Sequence, residues 1–157
     1  MSLTVWRIVN RRHIKTAFTG EGARLYGGRW NSPGTPMVYA AQSQSLAILE
    51  MLVHLDSSEL LKKYILFGVE IDEAQITSVD RFSLPKGWQA DPVPTSVQAV
   101  GDHWAASLNS AVFSVPSALV PDESNFLLNP LHPDFLKLKI QRPLAFQFDA
   151  RFAIRHR

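Results

Sequence analysis

Short runs of apolar and β-branched residues, separated by polar or turn-forming positions, dominate the chain. Runs of this kind are typical of strands. The predicted strands cover residues 3–9, 37–41, 64–71, 110–115, 118–120, 126–128 and 144–148. Strands outnumber helices and do not alternate regularly with them, so the pattern predicts a single compact α+β domain.

Helices are predicted at three places between these strands. Residues 43–55 are apolar on nearly every side, which predicts a buried helix, and Ser43 or Ser45 can act as its N-cap. A shorter helix is expected to follow and to end near Lys63, and another is expected over residues 102–109. The first of these is the clearest helical pattern in the chain.

Residues 19–36 differ in composition from the rest of the chain. They hold five of its eight glycines and two of its ten prolines, so no regular helix is expected there. The same stretch contains Arg24, Tyr26, Arg29 and Trp30, which are unusual in a simple spacer. Because long ordered loops in small domains often carry function, we expect this loop to contribute to a site.

The composition is that of a globular protein without disulfide bonds. The 157 residues are 46% hydrophobic, include no cysteine, and contain no apolar run of the roughly 18 residues that a membrane span requires. The N-terminus lacks the basic and apolar regions of a secretory signal, so a cytoplasmic protein is expected. No two of the five histidines have the spacing of a His-x-x-x-His site, and no metal is predicted.

Charge is distributed unevenly, although the net charge of +2 is too small to indicate nucleic-acid binding. Basic residues near the two ends of the chain are Arg7, Arg11, Arg12 and Lys15, and Arg151, Arg155, His156 and Arg157. Either both ends are simply solvated, or part of the first group forms a cationic cleft for a phosphate-bearing ligand. We expect the basic tail 151–157 to fray.

Glu50 lies inside the most apolar predicted helix. An ionised carboxylate in such a place must pair, protonate or face a cleft, because burying it alone is unfavourable. His54 follows at i+4 and shares its helical face. Two interpretations of Glu50 stay open, a core glutamate held by an arginine and a carboxylate aimed into a pocket. For His54 alone, a histidine satisfied on a packed face is favoured.

Two arginines also stand in unusual places. Arg29 follows two glycines and precedes Trp30, and a guanidinium in such a loop can bind phosphate or carboxylate in bidentate fashion. It could equally be an exposed loop arginine or the partner of Glu50. Arg7 lies within the first strand between apolar neighbours, so it either points to solvent or lines a cleft.

The region between residues 115 and 135 joins apolar strands through polar turns. Ser117 has no Gly-x-Ser-x-Gly around it, which argues against a nucleophile-elbow hydrolase. His132 could act as a base, but its proline-rich surroundings favour a structural loop. No glycine pattern of a P-loop or a dinucleotide fold is present.

Several blocks of the sequence together resemble the RES domain family. They are Gly20–Gly34, with its Gly-Gly-Arg-Trp-Asn core, then Val38–Ala40, Leu46–Glu50, Val115–Ser117 and Asn125–Asp134. That family is named for an arginine, a glutamate and a serine, and the matching positions here are Arg29, Glu50 and Ser117. The resemblance covers nearly the whole chain in the family's order, so residues 1–157 are expected to form one RES toxin domain.

The resemblance implies a toxin of a type II toxin–antitoxin pair. The expected fold has a mixed β-sheet core with flanking helices, related to ADP-ribosyltransferase toxins of the diphtheria-toxin kind. The implied substrate is NAD, cleaved between nicotinamide and ribose by hydrolysis or phosphorolysis, with inorganic phosphate as co-substrate in the second case and no prosthetic group. The implied partner is an Xre-type helix-turn-helix antitoxin that covers the active site, so that nucleic acid is reached only through the antitoxin.

The resemblance also assigns roles to individual residues. Arg7 and Arg29 would be the cleft arginines, Tyr39 the aromatic wall, Glu50 the acid and Ser117 the polar group opposite. These roles suit NAD, because arginines can bind its diphosphate and Tyr39 can stack on nicotinamide. A carboxylate can stabilise the oxocarbenium character that develops at the ribose.

Three other functions remain as alternatives at this point. The first is an ADP-ribosyltransferase that modifies a metabolic protein, as one lineage of the family is described to do. The second is a ribonuclease toxin, since arginine, histidine and glutamate can also cleave RNA. The third is a non-enzymatic binding or DNA-regulatory module, which the basic ends favour and the lack of a helix-turn-helix opposes.

Overall fold

A computed structural model describes residues 1–154, and these form one mixed, mainly antiparallel sheet with helices packed on it. The strands are β1 (Ser2–Asn10), β2 (Val38–Ala41), β3 (Tyr64–Asp72), β4 (Ile76–Ser78), β5 (Val112–Pro116), β6 (Ser124–Leu128), β7 (Lys139–Ile140) and β8 (Leu144–Phe146). The α-helices are α1 (Glu21–Tyr26), α2 (Gln44–Leu52), α3 (Ser57–Leu60), α4 (Thr95–Ser107) and α5 (Arg151–Ile154). The predicted α+β class with a mixed sheet core is confirmed.

The sheet consists of two parts that meet at a short junction. Its strand order is β4-β5-β6-β2-β1-β3-β7, with β8 also paired to β3, and only β4 and β5 run parallel. β1 and β3 pair over nine residues, whereas β1 and β2 share the single pair Trp6–Ala41. The ladder is therefore weakest between β1 and β2, next to Arg7.

Both faces of the sheet are covered, as the apolar strand runs predict. On one face Val5, Val38, Val69, Ile71 and Leu128 belong to a single buried cluster. On the other face, α2 packs Leu46 and Ala47 against Ile8 and Ala41, and α4 packs Val97 and Trp104 against Phe113 and Leu127. α2 is thus fixed on the face that carries Ala41. Within residues 1–154, no helix has both the length and the apolar character needed to cross a bilayer.

The expectation that residues 19–36 contain no helix is wrong. Glu21–Tyr26 form α1, and the glycines at its two ends terminate it, since Gly20 and Gly27 have φ of 74° and 75°. An ion pair between Arg24 and Glu21, with N···O of 2.6 Å, adds support along the helix. The glycines act here as helix boundaries.

The strand predicted over residues 118–120 is also wrong. The Ser117 hydroxyl accepts hydrogen bonds from the backbone N–H groups of Leu119 and Val120, each at 3.1 Å, and these bonds bend the chain into a turn. Local side-chain bonding of this kind competes with a strand ladder.

Two helix predictions and the predicted fraying of the tail need smaller corrections. α4 begins at Thr95 rather than at residue 102, and Pro94 is its N-cap residue. α2 is capped by Ser43 but ends at Leu52, and it is not buried on every side, because Leu49 is 43% exposed. The tail is helical rather than frayed over Arg151–Ile154, where Asp149 accepts from the Arg151 N–H at 2.9 Å; residues 155–157 lie outside the described part of the chain.

Candidate functional site

Glu50 lies on the sheet-facing side of α2. The hydroxyl of Ser43 caps this helix by accepting from the Leu46 N–H at 3.1 Å. Leu46 and Ala47 are buried against the sheet, and Glu50 follows them at i+4 and i+3, so it lies on the same stripe one turn further along. Its side chain is therefore carried by a fixed helix and is partly buried.

The Glu50 carboxylate meets an amide and not an arginine. Asn125 on β6 donates from Nδ2 to Glu50 Oε2. Burial raises the pKa of Glu50 above its usual value of 4.5, while the Asn125 hydrogen bond and the positive charges of His54 and Arg29 partly oppose that rise. Arg29 thus lies close enough to act on Glu50, although Asn125 makes the direct contact.

Arg29 is held by the main chain of a distant loop. Its Nη1 donates to the carbonyl oxygens of Trp88 at 2.9 Å and Ala90 at 3.0 Å. Both bonds use the same nitrogen, so within residues 1–154 the Nε and Nη2 donors are left for another acceptor. This arrangement suits a guanidinium that binds an anion in the site.

Tyr39 connects the Arg29 loop to β2. Its hydroxyl accepts from the Trp30 N–H at 3.0 Å and donates to Asn31 Oδ1 at 2.5 Å. Burial raises the pKa of Tyr39 above its usual value of 10, so the phenol stays neutral at physiological pH. A Cβ on Gly28 would lie 2.6 Å from this hydroxyl oxygen, which explains the glycine at that position.

The loop that carries Arg29 is anchored by two further polar residues. Asn31 is fully buried, and its Nδ2 donates to the carbonyls of Ala23 at 2.8 Å and Thr35 at 3.0 Å. Asp102 on α4 accepts from the Ser32 N–H at 3.0 Å and from its hydroxyl at 2.5 Å. Asp102 has no distinctive signal in the sequence, because a carboxylate at the start of a predicted short helix is common.

Arg7 lies outside this group of residues. Its Nε donates to the Ala17 carbonyl at 2.8 Å and its Nη1 to the Tyr39 carbonyl at 2.9 Å, and burial lowers the pKa of Arg7 to about 10. Trp6 pairs with Ala41, and Ala41 pairs with Asn125, so these three side chains share one face of the sheet. Arg7, adjacent to Trp6 on β1, projects from the opposite face.

Ser117 is fully buried immediately after β5. Its hydroxyl accepts from two backbone N–H groups of the following turn, and its own N–H donates to the Glu123 carbonyl at 2.9 Å. It follows Val115, which pairs with Asn125, so it lies near the Asn125 end of the site. The contacts of Ser117 thus shape the turn that follows β5.

The two histidines left open by the sequence differ in their surroundings. His54 is exposed, so the favoured interpretation of a packed histidine is wrong, yet its charge acts on Glu50. His132 caps a short 3-10 helix, since its Nδ1 accepts from the Asp134 N–H at 2.9 Å and its Nε2 lies 3.0 Å from the Leu108 carbonyl. These contacts agree with the structural interpretation of His132.

A segment over residues 81–90 links Arg29 to the turn after Ser117. Gln89 Nε2 donates to the Ala118 carbonyl at 3.1 Å, and Arg81 forms an ion pair with Asp122 at 2.7 Å. The same segment supplies the Trp88 and Ala90 carbonyls that hold Arg29. Two sides of the candidate site are therefore joined by one stretch of chain.

An open, mainly apolar groove of about 550 Å³ lies elsewhere, beside α4. Its lining includes Thr77, Val100, His103, Trp104 and Phe113. None of the predicted site residues borders it. This groove is therefore separate from the residues that surround Glu50.

Comparisons with known proteins identify the family. The RES domain model matches residues 4–149. Toxin Res of Yersinia enterocolitica is 43% identical over 150 residues, covering 95% of this chain and 99% of that protein. The Prs ADP-ribosylating toxin of Sphingobium sp. is 37% identical over 156 residues, covering 96% and 97%.

A solved structure supports the fold independently of sequence. A crystal structure of the M. tuberculosis MbcT–MbcA toxin–antitoxin complex contains a chain that matches with a TM-score of 0.76 at 20% identity, over 99% of this chain and 88% of that one. The family match spans nearly the whole chain and includes Arg29, Tyr39, Glu50 and Ser117. The protein therefore belongs to the RES domain family, as a relative of the Res toxins.

Proposed function

We propose that this protein is a toxin that consumes NAD by cleaving the bond between nicotinamide and ribose. The observation that carries the proposal is the partly buried Glu50 carboxylate, oriented by Asn125, with Arg29 close enough to influence its charge. NAD is the substrate, and no prosthetic group takes part.

The chemistry of the cleavage fits a carboxylate in this position. Departure of nicotinamide leaves positive charge on the ribose, and an ionised Glu50 stabilises that charge through space or by bonding a ribose hydroxyl. Nicotinamide leaves as a neutral molecule, so no strong general acid is needed. The Asn125 hydrogen bond and the charges of His54 and Arg29 favour the ionised form of Glu50 that this step requires.

Arg29 and Tyr39 supply substrate binding. The Nε and Nη2 donors of Arg29 can bind the diphosphate of NAD while Nη1 stays on the Trp88 and Ala90 carbonyls. Tyr39 provides a neutral aromatic surface whose hydroxyl is already occupied by the Arg29 loop. Ser117 contributes by shaping the turn at the other side of the site, and Arg7 by supporting the backbone of β2.

Transfer of ADP-ribose to a protein is a second candidate reaction. It is favoured by the 37% identity to a toxin named for ADP-ribosylating Prs. Both reactions share the cleavage step and differ only in whether water, phosphate or a protein side chain takes the ribose. A single assay can therefore distinguish them.

We also propose that an antitoxin of the Xre type covers this site. The matched structure comes from a toxin–antitoxin complex. Apolar side chains close in the chain to Glu50 and Ser117 are exposed, namely Leu49 at 43% and Val53 at 58% around α2, and Leu119 at 44% in the turn after Ser117. Exposed apolar side chains of this kind suit a protein interface. DNA would then be contacted only by the antitoxin.

The proposal is tested by following NAD incubated with the purified protein, with and without inorganic phosphate. Mass spectrometry should detect free nicotinamide together with ADP-ribose in water, or ADP-ribose carrying a further phosphate when phosphate is present. Nicotinamide release only when a cell extract is added, with ADP-ribose found on a protein, would select the transfer reaction. Intact NAD under all three conditions would reject the proposal.

A further inference from the structure

We propose that Asn125 is a positioning residue, which fixes the Glu50 carboxylate in its working orientation while leaving its negative charge unpaired. This inference rests on the proposed function, because it assigns a partner to the acid of the same site. It depends on the placement of Asn125 in the sheet, on the direction of its hydrogen bond and on the charges around Glu50.

Asn125 occupies a place in the sheet where a polar side chain needs a specific partner. It is only 7% exposed, it is followed on β6 by Phe126, Leu127 and Leu128, and it lies between Ala41 and Val115 of the neighbouring strands. A buried amide among apolar side chains is unfavourable unless it is hydrogen-bonded. Its Nδ2 bond to Glu50 Oε2 meets this requirement.

The direction of this hydrogen bond fixes the orientation of both groups. An ionised carboxylate only accepts, so the amide must present its nitrogen and not its oxygen to Glu50. The donor is carried by β6, an inner strand of the sheet, and the acceptor by α2, which packs on the neighbouring β2 through Ala41, so both groups are held by regular structure. Within residues 1–154 the second carboxylate oxygen, Oε1, makes no hydrogen bond and is left for substrate.

A neutral donor has an electrostatic consequence that an arginine would not have. A guanidinium bonded to Glu50 would neutralise the charge that must stabilise the cationic ribose. The charged groups that act on Glu50 are His54, just after its own helix, and Arg29 from the loop, and within residues 1–154 neither is hydrogen-bonded to it. Asn125 thus favours the ionised carboxylate and orients it without quenching it.

The test compares Asn125→Ala and Asn125→Asp with Asn129→Ala. Asn129 is a matched control, because it is a buried asparagine just beyond the same strand whose Nδ2 donates to the Ala105 carbonyl at 3.1 Å, away from Glu50. The kcat and KM for NAD are measured as a function of pH, with Tm for each variant. Asn125→Ala should lower kcat about tenfold with little change in KM, and should move the acidic limb of the profile to higher pH.

Asn125→Asp is nearly isosteric and should lose more activity than the alanine variant, because it places a second carboxylate against Glu50. Asn129→Ala should lower Tm while leaving the acidic limb where it is in the parent protein. If the Asn125 variants keep the parent kcat and acidic limb, or lose activity only as Asn129→Ala does, the positioning role is refuted.

A second measurement does not depend on NAD cleavage. Carbon-13 NMR of the glutamate carboxyl groups gives the titration midpoint of Glu50, with Glu50→Gln identifying its signal. Asn125→Ala should raise this midpoint and Asn129→Ala should leave it unchanged. An unchanged midpoint in Asn125→Ala overturns the inference, whereas absence of NAD cleavage by the parent protein, with the shift present, rejects only the proposed function.

Discussion

Arg29 and Arg7 are each held by two backbone carbonyls, but on opposite faces of the sheet and with different results. Arg29 makes both bonds with one nitrogen, so within residues 1–154 two other donor nitrogens remain, and its charge acts on Glu50. Arg7 uses two nitrogens, one on Ala17 and one on Tyr39, and burial lowers its pKa to about 10. The same side chain is thus placed for ligand binding in one case and for joining strands in the other.

The different roles of the two arginines cannot be assigned from sequence alone. Both have apolar or aromatic neighbours in the chain. Arg7, however, lies where β1 and β2 share only one ladder pair, and its guanidinium supplies a donor to the Tyr39 carbonyl at that junction. A carbonyl that loses its donor is most unfavourable where water cannot replace that donor, and Ala17 is buried whereas Ala90 is exposed. The loss of Arg7 should therefore cost more stability than the loss of Arg29.

The largest expected effect is on Arg29. Replacing it with methionine removes the donors that would bind the diphosphate, and kcat/KM for NAD should fall about 100-fold or more. Tm should fall less than in Arg7→Met, because water can reach the exposed Ala90 carbonyl that Arg29 leaves. Arg24→Met is the matched control, since Arg24 is a half-exposed neighbour whose side chain, within residues 1–154, pairs with Glu21 alone. Steady-state kinetics of nicotinamide release measures both. Equal activity of the two variants would show that Arg29 does not bind NAD.

Arg7→Met should show the opposite pattern. It leaves the Ala17 and Tyr39 carbonyls without their donor, which should lower the free energy of unfolding by about 2 kcal/mol. The KM for NAD of the folded protein should stay within about twofold of the parent value, because Arg7 projects away from Glu50. Denaturant unfolding and the same kinetic assay measure the two effects. A large rise in KM without loss of stability would show that Arg7 binds the substrate.

Gly28→Ala tests the contact between the Arg29 loop and Tyr39. The new methyl group would lie 2.6 Å from the Tyr39 hydroxyl oxygen, so the loop must shift, at a loss of about 1–2 kcal/mol of stability and part of the activity. Gly22→Ala is its control, because a Cβ there meets nothing within 4 Å. That variant should be neutral or slightly stabilising in thermal unfolding. If both variants have the parent Tm and activity, the Tyr39 contact does not position the loop.

The smallest expected effect is on stability as a function of pH. Because burial raises the pKa of Glu50, its ionised form disfavours the folded state above that pKa, and this penalty is absent below the usual value of 4.5. Glu50→Gln should therefore raise Tm by about 2 °C at pH 8, and the difference should vanish near pH 4. Glu21→Gln should instead lower Tm at pH 8, because the hydrogen bond with Arg24 lowers the pKa of Glu21 and its ionised form therefore favours the folded state.

Much of the architecture followed from local patterns, and the exceptions have definite causes. Apolar runs located β1, β3 and β6, and Ser43 caps α2 as its sequence suggests. The apolar content of residues 118–120 predicts a strand, but it contains no information on the preceding Ser117, whose hydroxyl folds these residues into a turn. The many glycines in residues 19–36 predict a loop, but Gly20 and Gly27 lie at the two ends of α1 and do not interrupt it.

The candidate site was only partly accessible from sequence for a different reason. Glu50 was conspicuous because a charge inside an apolar helix requires an explanation, and Arg29 because glycines precede it. The partner of Glu50 was not found, since Asn125 is 75 positions away and only the pairing of β6 with β2 brings it under α2. The opposite directions of the Arg7 and Arg29 side chains likewise could not be predicted. The direction of Arg7 depends on the pairing of β1 with β2, and that of Arg29 on its bonds to the distant Trp88 and Ala90 carbonyls.

The most direct test of the Glu50 site is the release of nicotinamide from NAD by equal amounts of the purified parent protein and Glu50→Gln. The substitution keeps the size of the side chain and an acceptor for Asn125, so the fold should persist, as circular dichroism and Tm can verify. Nicotinamide release by Glu50→Gln should be about 1,000-fold or more below that of the parent protein, if the Glu50 carboxylate stabilises the cationic ribose. Release by Glu50→Gln at the rate of the parent protein would contradict it.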